Sequence, residues 1–292
     1  MIKPESVLLG DNPFFGVDHL SQERARKKAS VSQNFDNAAD VIKYCYDAGM
    51  RGMVVNTHPN LKELIGRLRR RHDLADKIDF YPILPAFSEY FSMISQKGFV
   101  GSINEVLNQA EFGKKIKILT KGGLGIIRKD LFELFKVIID VDMLQLKDTR
   151  VRTIFLHEII TDLALSFNTR KLVETFAEYV TDKYKVKAGL VSRNFPMLVD
   201  KLDEWNLEVP EIMTSFNKVG FQMIPTRQDC EDALKRYKGE VTAMSVLAAG
   251  YLKPKEAYEY IQSQQGLARC VIGVSTIDHA RETFGLFLKQ QQ

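Results

Sequence analysis

Four of the five histidines in the chain stand where a short apolar run gives way to a polar turn: His19, His58, His157 and His279. Histidine titrates closest to neutrality of all side chains, so each is a candidate for proton transfer or for metal ligation. Asp11 and Glu158 occupy the same kind of position and add carboxylates. Together Asp11, His19, His58 and His157 could hold a metal, although their spacing matches no known metal motif. Polar residues continue the set at the ends of other apolar runs: Asn56, Ser192, Asn194, Asn217 and Ser245. Each of these also has a purely structural use as a helix cap or a turn hydrogen bond.

A second kind of chemistry is written near the end of the chain. Cys270 to Ile272 reads as a buried strand, Gly273 to Thr276 as a tight turn, and Ile277 onward as a helix. Ala280, Thr283, Phe284 and Phe287 recur at helical spacing on one face. Ser275 or Thr276 would cap the helix. A helix N-terminus behind a glycine turn presents N–H groups and the positive end of a dipole, which suits an anion, and His279 and Arg281 lie close by. The ligand expected there is a small molecule carrying a phosphate.

These residues need elements to hold them. Apolar runs near residues 6–10, 53–55, 78–84, 153–157, 186–191, 211–216, 241–245 and 270–272 read as eight strands, and amphipathic helical patterns separate them. Asn60 is placed to cap a helix carrying Leu61, Leu64, Ile65 and Leu68, with Glu63 in capping-box position. Another helix is expected from Thr169, directly after the fourth strand, and one from Thr226 to Tyr237 stopped by Gly239. The order of elements predicts one (β/α)8 TIM barrel over residues 1–292, with a long loop after strand 1 (about 11–35) and an expanded region at about 88–150 containing helices near 102–112 and 128–146. An open doubly wound sheet would want a glycine-rich turn after the first strand, and Gly10-Asp-Asn-Pro is not one. In a barrel, function belongs at the C-terminal ends of the strands, where the four histidines fall. The loop from Asp11 to Lys28, with Phe14, Phe15 and Gly16, is expected to cover the pocket.

Composition narrows the class further. The 292 residues are 45% hydrophobic and 27% charged, with a net charge of +4, too mild to argue for nucleic acid. No run reaches membrane length and no secretory leader pattern opens the chain. Cys45, Cys230 and Cys270 lie scattered among apolar neighbours, which reads as reduced thiols and a cytoplasmic protein.

The second half resembles the aldo-keto reductases. The resemblance is carried by Ile154-Phe-Leu-His157, Gly189-Leu-Val-Ser-Arg-Asn-Phe195, Asn217 with Pro225, Ala243-Met-Ser-Val-Leu-Ala-Ala-Gly-Tyr-Leu252 and Ile272-Gly-Val-Ser-Thr-Ile-Asp-His279. It spans about residues 150–285, with a weaker match at 36–70. It implies a barrel oxidoreductase that binds NADP or NAD and reduces aldehydes or ketones. His157 would be the strand-4 catalytic histidine, and Ser192, Asn194, Asn217, Ser245, Gly273, Ser275, Thr276, His279 and Arg281 would attend the cofactor. Three catalytic types of that family are replaced. Asn56 stands at its aspartate, Leu61 at its tyrosine, and Leu84-Pro-Ala at its lysine. Lys121 has the family's Thr-Lys context but comes too late in the order. Met244 stands at the aromatic that stacks on the nicotinamide. The candidates for altered chemistry are His157, His58 and Asn56. The alternatives are a metal-assisted hydrolase or lyase using Asp11, His19, His58 and His157, and a non-catalytic nucleotide- or metabolite-binding protein.

Overall fold

The computed structural model describes residues 3, 6–16, 35–58, 60–85 and 131–289. Within them the strands are β1 (Val7–Gly10), β2 (Gly52–Asn56), β3 (Asp79–Leu84), β4 in two pieces (Arg150–Val151 and Thr153–Leu156), β5 (Lys187–Val191), β6 (Glu211–Ser215), β7 (Glu240–Met244) and β8 (Leu267–Gly273). All pairings are parallel, and β1 pairs with both β2 and β8 while β3 pairs with β2 and β4. The nine hydrogen-bonded segments therefore close into a barrel of eight staves, because the two pieces of β4 flank Arg152 on one stave. This is the (β/α)8 barrel expected from the element order.

The helices are α1 (Phe35–Asp47), α2 (Leu61–His72), α3 (Leu131–Met143), α4 (Glu158–Ser166), α5 (Arg170–Tyr184), α6 (Phe195–Trp205), α7 (Arg227–Arg236), α8 (Pro254–Ser263) and α9 (Ile277–Lys289). Each lays an apolar stripe on the barrel. In α2, Leu61, Leu64, Ile65 and Leu68 are buried, and Arg69 to His72 sit in the last turn, where cations meet the negative end of the dipole. In α9 the buried stripe is Ala280, Thr283, Phe284 and Phe287.

Inside the barrel a second cluster is formed by Leu8, Val54, Tyr81, Phe155, Val191 and Met213. Two glycines make room for it. A Cβ on Gly189 would lie 2.5 Å from the Phe155 ring, and one on Gly52 would lie 2.6 Å from Leu8. Side chains alternate along a strand, so the interior positions continue upward to Asn56 on β2 and His157 after β4. They continue downward to Thr153 and Glu211 at the foot.

Several expectations are corrected. Helix α4 intervenes between β4 and the helix at 170; it was missed because its N-cap is a histidine, not Ser, Thr, Asp or Asn. Asn60 makes no side-chain cap; its own N–H instead donates to His58 Nδ1 at 3.2 Å. Tyr237, in extended conformation, ends α7 before Gly239 is reached. Helix α3 stops at Met143, followed by a 3-10 turn at Leu144–Leu146. The helix near 102–112, His19, Lys121 and the loop after β1 from residue 17 to 34 lie outside the described residues. No helix among the described residues is long and apolar enough to cross a membrane. Cys45, Cys230 and Cys270 are buried free thiols.

Candidate active site

At the C-terminal end of the barrel a cavity of about 640 Å³ runs from the ends of β1, β2 and β4 across to the turn before α9. Ile83, Val191, Met244 and Val271, the top of the interior cluster, line it. The polar groups around them include Asp11, Asn56, His58, His157, Glu158 and Arg193. The strands deliver these groups because a parallel barrel points every strand end, and every βα turn, at the same face.

His157 and His58 are held in the same way. His157 is the N-cap of α4, and its Nδ1 accepts the Ile159 N–H at 3.2 Å. His58 Nδ1 accepts the Asn60 N–H at the same distance. A ring nitrogen that accepts carries no proton, so the neutral form of each ring carries its hydrogen on Nε2. Burial holds both rings below the ordinary histidine pKa; for His157 the Glu158 carboxylate opposes that effect and Arg193 adds to it. His58 also stacks on Phe15, with centroids 4.7 Å apart. Because the strand ends before His157, that residue and Glu158 both reach the cavity, and Glu158 pairs with Arg193.

Asp11 is the most unusual group. It is 2% exposed. Its Oδ2 accepts the Asn56 backbone N–H at 2.7 Å and its Oδ1 accepts Asn56 Nδ2 at 3.1 Å. Asn56 Nδ2 also lies 3.2 Å from Asn12 Oδ1. Burial raises the Asp11 carboxyl to about 7 against the pull of the Asn56 hydrogen bonds.

The remaining sequence candidates divide. Gly273, Ser275, His279 and Ser245 line the cavity. Ser245 adopts a left-handed φ of 56° and shares hydroxyl contacts with Ser215 and Gln222. Ser192 is fully buried, bonds Asp162 and receives the Asn194 N–H. Asn194 caps α6 through Met197. Asn217 is buried and clasps the Phe221 backbone in both directions at 2.8 Å, which sets Phe221 and Gln222 on the cavity wall. Thr276 caps α9 by accepting the His279 N–H, and Arg281 is tied to Asp278 at 2.8 Å. Leu61, at the position where the resemblance implies a tyrosine, is core. No tyrosine or lysine is among the described residues lining the cavity. No three His, Cys, Asp or Glu side chains among the described residues gather as metal ligands.

Sequence reasoning passed over Phe221 and Gln222, and of Phe14 and Phe15, both expected at the pocket, only Phe15 lines the cavity. Phe14 is 3% exposed in the main core. Gln222 adopts a left-handed φ of 59°, and Ala249, another wall residue, one of 55°. Nothing in the residue types announces these conformations.

These features define a (β/α)8 barrel with its candidate site at the C-terminal face. No protein-family model matches the chain, and no curated protein matches it in sequence. Solved structures do match. A Pseudomonas aeruginosa protein provisionally described as an aldo-keto reductase superposes with a TM-score of 0.63 at 14% identity, over 98% of this chain and 91% of that one. An aldo-keto reductase from Klebsiella pneumoniae in complex with NADPH gives 0.54 at 10% identity, over 96% and 84%. One from Bombyx mori in complex with NADP gives 0.54 at 10%, over 97% and 83%. The fold of this chain is the barrel of the aldo-keto reductases.

Proposed function

We propose that the chain is a nicotinamide-dependent oxidoreductase of aldo-keto reductase descent, acting on a small carbonyl compound with a non-standard set of catalytic residues. The observation that carries this reading is the single cavity that joins His58, Asn56 and His157 to the turn at Gly273–Ser275 and the N-terminus of α9. A nicotinamide dinucleotide needs that geometry: an apolar floor for the ring and an anion site some distance away. Met244 and Val271 supply floor, and the first turn of α9 with Ser275 supplies hydrogen-bond donors. When bound, the reduced nicotinamide supplies a hydride. The chain's own residues do the rest. Ser245 and Gln222 face the ring region, and the Nε2–H groups of His157 and His58 hold and polarise the carbonyl oxygen. Asn56 orders the carboxyl of Asp11. Ser192, Asn194 and Asn217 act at one remove, by fixing the loops that carry Arg193 and Gln222.

The 2′-phosphate of NADP has weak support at its expected end. Arg281 is committed to Asp278, leaving His279 and the hydroxyls of the turn. NADH is therefore expected to bind comparably to NADPH. Titration of the purified protein with each, followed by nucleotide fluorescence, tests the reading. Saturable binding of either, reduced by Ser275→Glu at the turn, supports it. Absence of binding of both up to millimolar concentration overturns it, and the metal-assisted and non-catalytic readings then take its place.

A further inference from the structure

We propose that Asp11 is a catalytic residue of this site, the carboxyl that delivers a proton to the substrate oxygen. The inference rests on the reductase reading and fills the place left by the missing tyrosine. Asp11 ends β1, lines the cavity and is almost wholly enclosed. Its bonds come from the amides of Asn56, and among the described residues it forms no ion pair. Among the described residues, the charged and titratable groups that share the cavity are His58 beside β2, His157, Glu158 and Arg193 on the β4–β5 side, and His279 on α9. Glu158 and Arg193 neutralise each other. A carboxyl so enclosed resists ionisation, and burial accordingly raises Asp11 to about 7. That is close to the value a general acid needs at neutral pH.

The histidines do not fill this role. With Nδ1 occupied by a backbone N–H and burial keeping them neutral, they offer an Nε2–H that can polarise an oxygen but is far too weak an acid to give its proton away. With a reduced nicotinamide held in the cavity, its hydride would bond to the carbonyl carbon as the C=O π bond breaks, so that the carbonyl would be reduced to an alcohol and the dinucleotide oxidised. The Asp11 O–H would break as the new alcohol O–H forms, leaving Asp11 as a carboxylate held by the two Asn56 donors until solvent returns the proton.

Two measurements test this. Protein labelled with carboxyl-¹³C aspartate is titrated without any nucleotide, and the Asp11 signal is assigned by its loss in Asp11→Asn. A signal titrating near pH 7 is expected; one titrating in the ordinary carboxylate range overturns the inference. Turnover of an aldehyde panel with reduced nicotinamide is then compared. Asp11→Asn should lower kcat by about a hundredfold with the NADPH Kd unchanged, and normal turnover with an unmoved pH profile overturns the inference. Asn56→Ala keeps the carboxyl but removes one donor that stabilises its ionised form. The Asp11 titration and the alkaline limb of kcat should therefore move up together, and an unmoved limb again counts against Asp11. Failure of the redox reading shows differently, as absence of dinucleotide binding in the wild type.

Discussion

The two ends of the barrel each bury a carboxyl, and they treat it in opposite ways. At the foot, Glu211 is 0% exposed and receives Thr153 and Thr242 at 2.8 Å and Arg269 at 2.7 Å. Arg269 also reaches Glu240 and lies over the Tyr81 ring. At the mouth, Asp11 has the Asn56 amides and, among the described residues, no cation. The foot satisfies its charge completely, while the mouth leaves its carboxyl close to the point of ionisation. Left-handed non-glycine backbone occurs at both ends: Asp73, Lys185 and Asn206 close helices that lead back to the foot, and Gln222, Ser245 and Ala249 stand on the cavity wall. One architecture can hold both because the strands that carry them are anchored from below, so irregularity at the upper end costs local stability only.

The largest expected effect lies at the foot. Arg269→Ala strips the cation from a fully buried carboxylate and should cost about 3–5 kcal/mol. Urea denaturation at neutral pH reads this directly. Nucleotide binding by the protein that remains folded should be unchanged, because the site is at the opposite end. A loss under about 1 kcal/mol would show that Glu211 is held well enough by its two threonines, and the contrast between the ends would shrink.

At the mouth, removing the carboxyl should do the reverse. Asp11 has a folded-state pKa raised from 3.8 to about 7, so its contribution to stability is present below the unfolded value and is lost as pH rises through about 7. A shift of roughly three units corresponds to up to about 4 kcal/mol. Asp11→Asn should therefore be more stable than the wild type at pH 8 and converge with it near pH 4, in urea melts run across that range. The same substitution should lower turnover by about a hundredfold. A variant less stable than wild type at pH 8 would mean that the Asn56 donors hold an ionised carboxylate after all.

His157→Ala should reduce turnover by about a hundredfold or more while costing about 1 kcal/mol of stability, the value of a lost helix cap. Unaltered turnover with that stability loss would leave His157 as the cap of α4 alone.

The barrel was legible because it is written in repeated, redundant signals. The stripes of α2 and α9 and the apolar strand runs follow from burial on a fixed period, and an error at one boundary leaves the others intact. The mouth was legible only in part. His58, His157, Asn56 and the Gly273 turn could be placed because a barrel sends all strand ends to one face. Which polar residue faces the cavity and which ties down a loop could not be read, since Ser245 and Ser192 are the same type and differ only in backbone direction. Asp11 read as a possible metal ligand because its depth of burial is a property of three dimensions. His157 as a helix cap was invisible for the opposite reason: the sequence rule for caps does not include histidine.

Phe15 allows the finest test of how the mouth sets its pKa values. Phe14 and Phe15 are adjacent, yet Phe14 is packed in the core and Phe15 is half-buried against His58. Phe15→Ala removes aromatic contacts with His58 and Phe35 and should cost about 0.5–1.5 kcal/mol of stability. It also lets water reach the His58 ring. Burial is what keeps that ring below its ordinary pKa, so the His58 proton resonances should titrate at higher pH in the variant. Ligand affinity should fall by about tenfold at most, since that factor corresponds to the upper end of the stacking energy. The two readouts separate two roles. A raised His58 titration with unchanged affinity would make Phe15 a shield for the imidazole, and weakened affinity with an unchanged titration would make it a wall of the pocket. If neither moves, the drying of the mouth comes from residues other than Phe15, and the low basicity of His58 has to be sought in its bond to the Asn60 N–H.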